Sequence, residues 1–120
     1  MQSVWKENII LRKASSLAHL VYQIIKTFPT SERFGLTSQL NRAIVSVILN
    51  MIEGYSRFSR TEHARFLEMS FASLKESQYL IEFCTEEGFI KEDNSRELLS
   101  QSEEISRMLY AKIMTMRIGR

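Results

Sequence analysis

The sequence predicts an all-α protein, an antiparallel up-down-up-down four-helix bundle. Three observations carry this. Glycine occurs four times and proline once in 120 residues, so few positions interrupt a helix. Apolar residues recur at spacings of three and four, the period of one helix face. No segment alternates apolar and polar residues between turn signals, as a half-buried strand does. Breaks fall near residues 29–35, 58–59 and 88–93. Four long helices joined by short connections become antiparallel neighbours.

The first helix runs to about Phe28. Ala14, Leu17, Ala18, Val21, Ile24, Ile25 and Phe28 form a single core stripe. Asn8 is a candidate amino-terminal cap, with Val4 and Trp5 either helical or packed as a short arm. Pro29 ends the helix, because proline disfavours helical geometry at the residue before it. The second helix spans residues 36–57 and is the richest in information. Leu40, Ala43, Ile44, Val47 and Met51 cover one side of it. Val45, Ile48, Leu49 and Ile52 spread over the back and far flank, and Gln39, Arg42, Ser46, Asn50 and Glu53 form one narrow polar stripe. A helix that lines only its own core needs one apolar face. The extra face predicts a second burial surface, most simply a copy of the same chain. Gly54, in the last turn, either closes the helix or lets another backbone approach.

Ser59, Arg60, Thr61 and Glu62 have capping-box spacing, so the third helix is expected to begin near Arg60 and run to about Glu87. Ala64, Leu67, Phe71, Leu74 and Ile81 make its stripe, with Gln78 in register. Phe66, Leu80 and Cys84 lie beside it, and Ser70, Ser73 and Ser77 fill the flank between them. Gly88 is placed to end it. Asn94, Ser95, Arg96 and Glu97 offer a second box-like start, with the fourth helix running to about Arg117. Leu98, Ile105, Leu109, Ile113 and Met116 supply its stripe, broadened by Leu99, Met108 and Tyr110.

Length and composition fit a single domain, residues 1–120, able to bury a core without disulfides or metal. The lone Cys84 has no internal disulfide partner, which points to a reducing compartment. No signal peptide is recognisable after Met1. The longest apolar run, residues 43–52, is far shorter than the roughly 20 residues that span a bilayer. A cytoplasmic protein without membrane contact is expected. Charge is unevenly spread: residues 1–60 carry a net +5, residues 76–104 a net −7, and Arg107, Lys112, Arg117 and Arg120 follow with no acid. Such blocks give opposite faces or ends, or neutralise one another across neighbouring helices.

The order of features in residues 35–76, GLTSQLNRAIVSVILNMIEGYSRFSRTEHARFLEMSFASLKE, resembles the signature region of the four-helix-bundle proteins encoded in intervening sequences of bacterial 23S ribosomal RNA genes. The matching positions are Phe34, Gly35, Leu36, Thr37, Gln39, Leu40, Arg42, Ala43, Ser46, Asn50, Glu53, Gly54, Phe66 and Leu67. Trp5, the Phe28-Pro29 helix end and Glu32-Arg33 are also similar. The resemblance covers nearly the whole chain. Two departures matter. Family members often have Ile-Pro after the serine, where this chain has Val47-Ile48, so its second helix is expected to be straighter. The small alanine before the motif's Glu-Gly is here Ile52, a large side chain at a close contact. The resemblance implies the antiparallel bundle, assembly as a ring-like homopentamer, no enzymatic activity and an association with RNA. A more distant relative, the accessory protein of diversity-generating retroelements, partners a reverse transcriptase and its RNA. An alternative role is therefore a protein-binding module serving such an enzyme without touching nucleic acid.

The polar stripe is the leading candidate site. Arg42 and Glu53 stand eleven residues apart, about 16 Å along a helix, so they cannot pair with each other. Each needs another helix, another subunit or water. Three readings stand: an exposed polar face, a buried network that fixes register, and a ligand or RNA contact. A second candidate interleaves cations with aromatics: Tyr55, Arg57, Phe58, Arg60, His63, Arg65 and Phe66, joined by Lys112, Arg117 and Arg120. Arginines bond phosphates and aromatics stack on unpaired bases. The competing reading is a solvated turn with Phe58 and Phe66 in the core. His19 and His63 lie far apart, no ligand set has metal spacing, and no phosphate loop or nucleophile motif occurs. Neither catalysis nor a cofactor or metal is expected, and Cys84 reads as a small core hydrophobe.

Overall fold

Each helix forms where its apolar period lies, and local chemistry sets its ends. The computed structural model describes residues 8–118. The expectations for Val4, Trp5 and Arg120 fall outside them. The helices are α1 (Ile9–Ile25), α2 (Leu36–Tyr55), α3 (Arg60–Glu86) and α4 (Glu92–Ile118), with a 3-10 turn at Thr30–Glu32 before α2. No strand occurs among the described residues. α2 packs on α1 and α3, and α4 packs on α3 and α1, so the four helices form an up-down-up-down bundle with α2 and α4 at opposite corners. A 27-residue helix is about 40 Å long, which accounts for the 45 Å long axis of the molecule.

Asn8 caps α1: its side-chain oxygen accepts from the Leu11 amide at 3.0 Å. α1 stops at Ile25, earlier than the apolar period suggests. The Thr27 and Phe28 amides donate to Ile24 and Ile25 in a tightened final turn, and Pro29 then leads into the 3-10 segment. Phe28 is buried nonetheless, with its ring 5.7 Å from that of Phe89. It closes this end of the core from outside the helix.

Ser59 caps α3, accepting from the Glu62 amide at 2.9 Å. Only half of the expected box forms there, because the Glu62 carboxylate turns to Arg65 instead. Gly88 ends α3 with φ of 82°. The Phe89 amide reaches back to the Cys84 carbonyl at 2.8 Å and the Gly88 amide to Thr85 at 3.0 Å, the paired bonds of a Schellman ending. α4 corrects the sequence reading. It begins at Glu92, and the Asn94 to Glu97 motif lies inside it. The Ser95 amide bonds the Lys91 carbonyl and its side chain is buried, so Ser95 is already one of the core positions. Glu92 and Asp93 place negative charge in the first turn, where the helix dipole favours it.

The core takes Leu17, Val21, Leu40, Ile44, Val47, Met51, Leu67, Leu74, Ile81, Leu98, Ile105 and Leu109 at almost no exposure. Phe71 is only half-buried and Tyr110 is exposed, a correction to both stripes. Five buried serines fill the narrow places: Ser70 and Ser77 on α3, and Ser95, Ser102 and Ser106 on α4. Ser70, Ser77 and Ser102 turn their hydroxyls to nearby carbonyls. Ser77 donates to the Ser73 carbonyl and Ser102 to the Leu99 carbonyl, while Gln78 donates across to the Ser102 hydroxyl at 3.1 Å. α2 runs unbroken over its 20 residues, in keeping with Val47-Ile48 in place of a proline step.

Candidate functional site

α2 presents three faces, and each holds a different part of the candidate chemistry. Its core face buries Leu40, Ala43, Ile44, Val47, Met51 and Gly54. The polar stripe runs along the flank that faces α3. There Ser46 and Ser73 share a hydrogen bond of 3.0 Å, and Asn50 donates to both the carbonyl and the hydroxyl of Ser46, each at 3.0 Å. Ser70 donates to the Val47 carbonyl at 2.6 Å, fully buried. The middle of the stripe is therefore a structural network between two helices. Its ends behave differently. Gln39 and Arg42 are exposed and line an open groove of about 500 Å³ with Ser46, Ser73 and Glu76. Arg42 makes no hydrogen bond or ion pair within the described residues. Glu53 pairs with Arg57 one turn on, at 3.4 Å. The sequence reading, which sought a partner for Glu53 on another element or in water, missed this neighbour. Ser73 and Glu76 of α3 were not foreseen as groove residues; the small-residue flank of α3 was the available signal.

The second face is apolar and turned to solvent. Leu49 is 59% exposed and Val45 37%. Ile48 and Ile52 are half-buried and pack against the core, so only part of the expected far-flank surface is open.

The carboxyl-terminal end of α2 meets the start of α3 and the end of α4, which gathers the cations of the second candidate surface. Most already have partners. The Arg57 and Arg65 guanidiniums each lie 4.6 Å from the Phe66 ring centre, and Arg65 pairs with Glu62 at 3.0 Å. Arg60 reaches across to the last turn of α4, donating to the Met116 carbonyl at 3.1 Å and to Thr115 at 3.3 Å. Those carbonyls are left over by the helix ending, and a cation suits that end of the dipole. Arg117 pairs with Glu68 at 2.8 Å. Lys112 is exposed. The alternative that put Phe58 in the core is corrected: Phe58 stands fully exposed, and Phe66 is half-buried beneath two arginines.

At the same junction α2 and α3 approach closely. A Cβ on Gly54 would fall 3.0 Å from the His63 ring, 3.1 Å from the His63 carbonyl oxygen and 3.2 Å from the Phe66 Cβ. The His63 ring stands edge-on to Tyr55 with centres 4.6 Å apart, and its Nε2 is buried without a hydrogen-bond partner. Burial, then the nearby Lys112 and Arg60 charges, hold the imidazole below its usual pKa. Cys84, also buried, has its thiol pushed up to about 11, chiefly by desolvation. No group of three or more His, Cys, Asp or Glu side chains among the described residues could hold a metal ion. No helix among them is long and apolar enough to cross a membrane.

The profile of the 23S rRNA-intervening sequence protein family matches residues 6–111. The chain belongs to this family. The fold is similar to the crystal structure of a protein of unknown function from the S23 ribosomal protein family of Bacteroides thetaiotaomicron. The TM-score is 0.84 and the identity 22%, over 92% of this chain and 99% of the other. No curated protein matches the chain. The residues that carry the family signature can now be placed. Leu40, Ala43, Gly54 and Leu67 are core or close-contact positions, Ser46 and Asn50 form the α2–α3 network, and Gln39 and Arg42 line the groove. Glu53 and Phe66 hold Arg57.

Two expectations test this junction. Gly54→Ala gains about 1 kcal/mol of helix propensity, but its methyl meets the His63 backbone, which cannot rotate away. A net loss of roughly 1–3 kcal/mol in urea unfolding is expected; a neutral or stabilised variant would show that the helices can separate freely. His63 gives a pH dependence. Its folded pKa is lowered, so the unfolded chain takes up the proton first as pH falls. The stability contributed by neutral His63 is complete above the ordinary imidazole value of about 6.5 and is lost as pH falls through the lower folded value. Unfolding free energy measured from pH 7.5 to pH 5 should fall more steeply for the native chain than for His63→Gln, and equal slopes would refute the assignment.

Proposed function

We propose that this protein is a non-enzymatic scaffold that assembles with copies of itself through the solvent-facing stripe of α2, formed by Val45, Ile48, Leu49 and Ile52. The observation that carries the reading is Leu49, more than half exposed at the middle of a 20-residue helix, with Val45 one turn before it. Moving a fully exposed aliphatic side chain out of water contributes about 1.5–3 kcal/mol. Ile48 and Ile52 are already half-buried, so this stripe alone contributes only a few kcal/mol gross per chain. Association entropy takes back a large share. The stripe is thus the centre of a larger contact, in line with the roughly 800 Å² per partner that a stable interface buries. The family resemblance supports a pentamer as the assembled form, in the cytoplasm.

RNA association is a second reading, and Phe58 favours it. The ring is wholly exposed on the turn between Arg57 and Arg60, where an unpaired base could stack at about 1–3 kcal/mol. Because Arg57, Arg65 and Arg117 already have carboxylate partners, few phosphates would be neutralised and the binding would be weak and salt-sensitive. The alternative is an assembly module that serves an enzyme such as a reverse transcriptase through protein contacts alone.

Sedimentation at high protein concentration tests the scaffold. The native chain should give a mass several times that of one subunit, and Leu49→Arg should give a folded monomer, since an exposed position tolerates the change; a monomeric native chain ends the proposal. For the second reading, fluorescence anisotropy with a single-stranded RNA at low salt should detect binding that Phe58→Ala combined with Lys112→Glu weakens about tenfold or more. Absence of binding at low salt would favour the protein-only alternative.

A further inference from the structure

The groove between α2 and α3 is lined by charges that the fold itself does not use. The two helices run antiparallel, and the Ser46–Ser73 bond fixes their register. Arg42 stands four residues before Ser46, and Glu76 three residues after Ser73. Both therefore lie on the same side of that bond, one on each wall of the groove. They are not paired with each other, and neither has another partner among the described residues. The residues between them, Ala43, Ser46 and Ser73, are small. The two hydroxyls hold two protons, and their mutual bond uses one. Asn50 donates to Ser46 and takes none. One hydroxyl proton is thus left without a protein acceptor at the floor of the groove. The neighbouring charges are turned elsewhere. Lys75 goes to Glu103 and the Phe71 ring on the α4 side, and Glu53 is held by Arg57 farther down α2. The lining carries one cation and one anion and no net charge.

Such a lining does not suit a simple ion, since a phosphate would meet Glu76 and a metal ion would meet Arg42. It suits a neutral ligand with a separate acceptor edge and donor edge. A guanidinium bonds best to two adjacent acceptors, and a carboxylate to two adjacent donors. Among the nucleobases guanine carries both, O6 with N7 on one edge and the N1 and N2 hydrogens on the next. O6 lies between those edges. We infer that the groove binds a guanine base, inserted with O6 toward the serine pair, N7 toward Arg42 and the N1–N2 edge toward Glu76. The spare hydroxyl proton then has its acceptor in O6, and each unpaired charge has two bonds to make. A flat ring passes between the walls because the floor residues are small, and the groove, about 500 Å³, has ample room for one base. Arg42 lies thirteen residues before Tyr55, about 20 Å along α2 from the turn that carries Phe58. The site is separate from the stacking surface at Phe58 and does not rest on that reading. The base belongs to a free nucleotide or to an unpaired nucleotide of RNA, and both present the same edges.

Nuclear magnetic resonance titration of the full chain with GMP and AMP tests the site. The signals of Ser46, Ser73 and the Gln39 side-chain amide should move with GMP, which binds about tenfold more tightly than AMP. Arg42→Met should weaken GMP by about tenfold; the position is exposed, so the variant keeps its fold. IMP lacks the N2 amine and should bind the native chain more weakly than GMP. Glu76→Gln, also at an exposed position, should erase that difference, which a merely structural Glu76 would not do. A single-stranded RNA with one guanine in a uridine run separates the two sources. Tighter binding than GMP assigns the groove to RNA, and equal or weaker binding assigns it to the free nucleotide. Equal affinity for GMP and AMP, or no shift at the groove residues at millimolar GMP, overturns the inference. So does tighter binding of glycine, a zwitterion that satisfies the same two charges.

Discussion

The closeness of α2 to α3 is the constraint on which the rest of the molecule depends. It is achieved by leaving side chains out. A Cβ on Gly54 would lie 3.0–3.2 Å from His63 and Phe66, tighter than ordinary contact, Ala43 and Ala64 are nearly fully buried, and Ser70 sends its hydroxyl directly onto the Val47 carbonyl. Short polar residues can satisfy a neighbouring backbone only when the helices are near, and the helices stay near only because those residues are short. Once this contact is set, the turn between α2 and α3 must be tight. That tightness leaves Phe58 no route into the core. It also places Arg60 where it can reach the end of α4.

The same geometry changes the meaning of the cations. In the sequence, residues 55–66 read as a run of arginines and aromatics whose one acid, Glu62, is assigned to the helix cap. In the fold, the counterweights are Glu53 and Glu62 one turn away, Glu68 across from Arg117, and the carbonyls that end α4. Two guanidiniums over one phenylalanine stabilise the junction by cation–π attraction, about 0.5–1 kcal/mol each at exposed sites. The cluster is therefore first a structural clamp. Any partner that binds there must compete with contacts the arginines already make, or use Phe58 and Lys112.

What could be read from the sequence divides along the same line between local and distant chemistry. The period of three and four located nearly every core residue, since burial on one helix face depends only on spacing. The caps at Asn8 and Ser59 and the glycine ending at residue 88 were legible because capping bonds span a few residues. The start of α4 was not, because Asn94 and Glu97 keep capping-box spacing while lying inside the helix, and only the burial of Ser95 between helices shows that this turn is already part of it. The half-burial of Ile48 and Ile52 was hidden for a related reason. Angular position places them on the far flank, but how far a neighbouring helix covers that flank is set by interhelical distance, which no single helix encodes. The Arg57–Glu53 pair was readable in principle, being four residues apart. The bond from Arg60 to α4 links residues more than fifty positions apart, beyond any local pattern.

The surplus apolar surface on α2 then has a physical consequence that the bundle alone does not meet. Leu49 keeps more than half of its surface in solvent and Val45 more than a third. Isolated exposed apolar residues are ordinary on protein surfaces. Val45 and Leu49 on α2, and Tyr110, Met114 and Ile118 on the opposite corner at α4, stand in lines along their helices and are not isolated residues. The bundle interior already explains the core faces of all four helices and the serine network between them. The outward apolar positions remain as the part of the sequence pattern that the bundle interior does not account for, and the proposed contact between copies of the chain would give them a use.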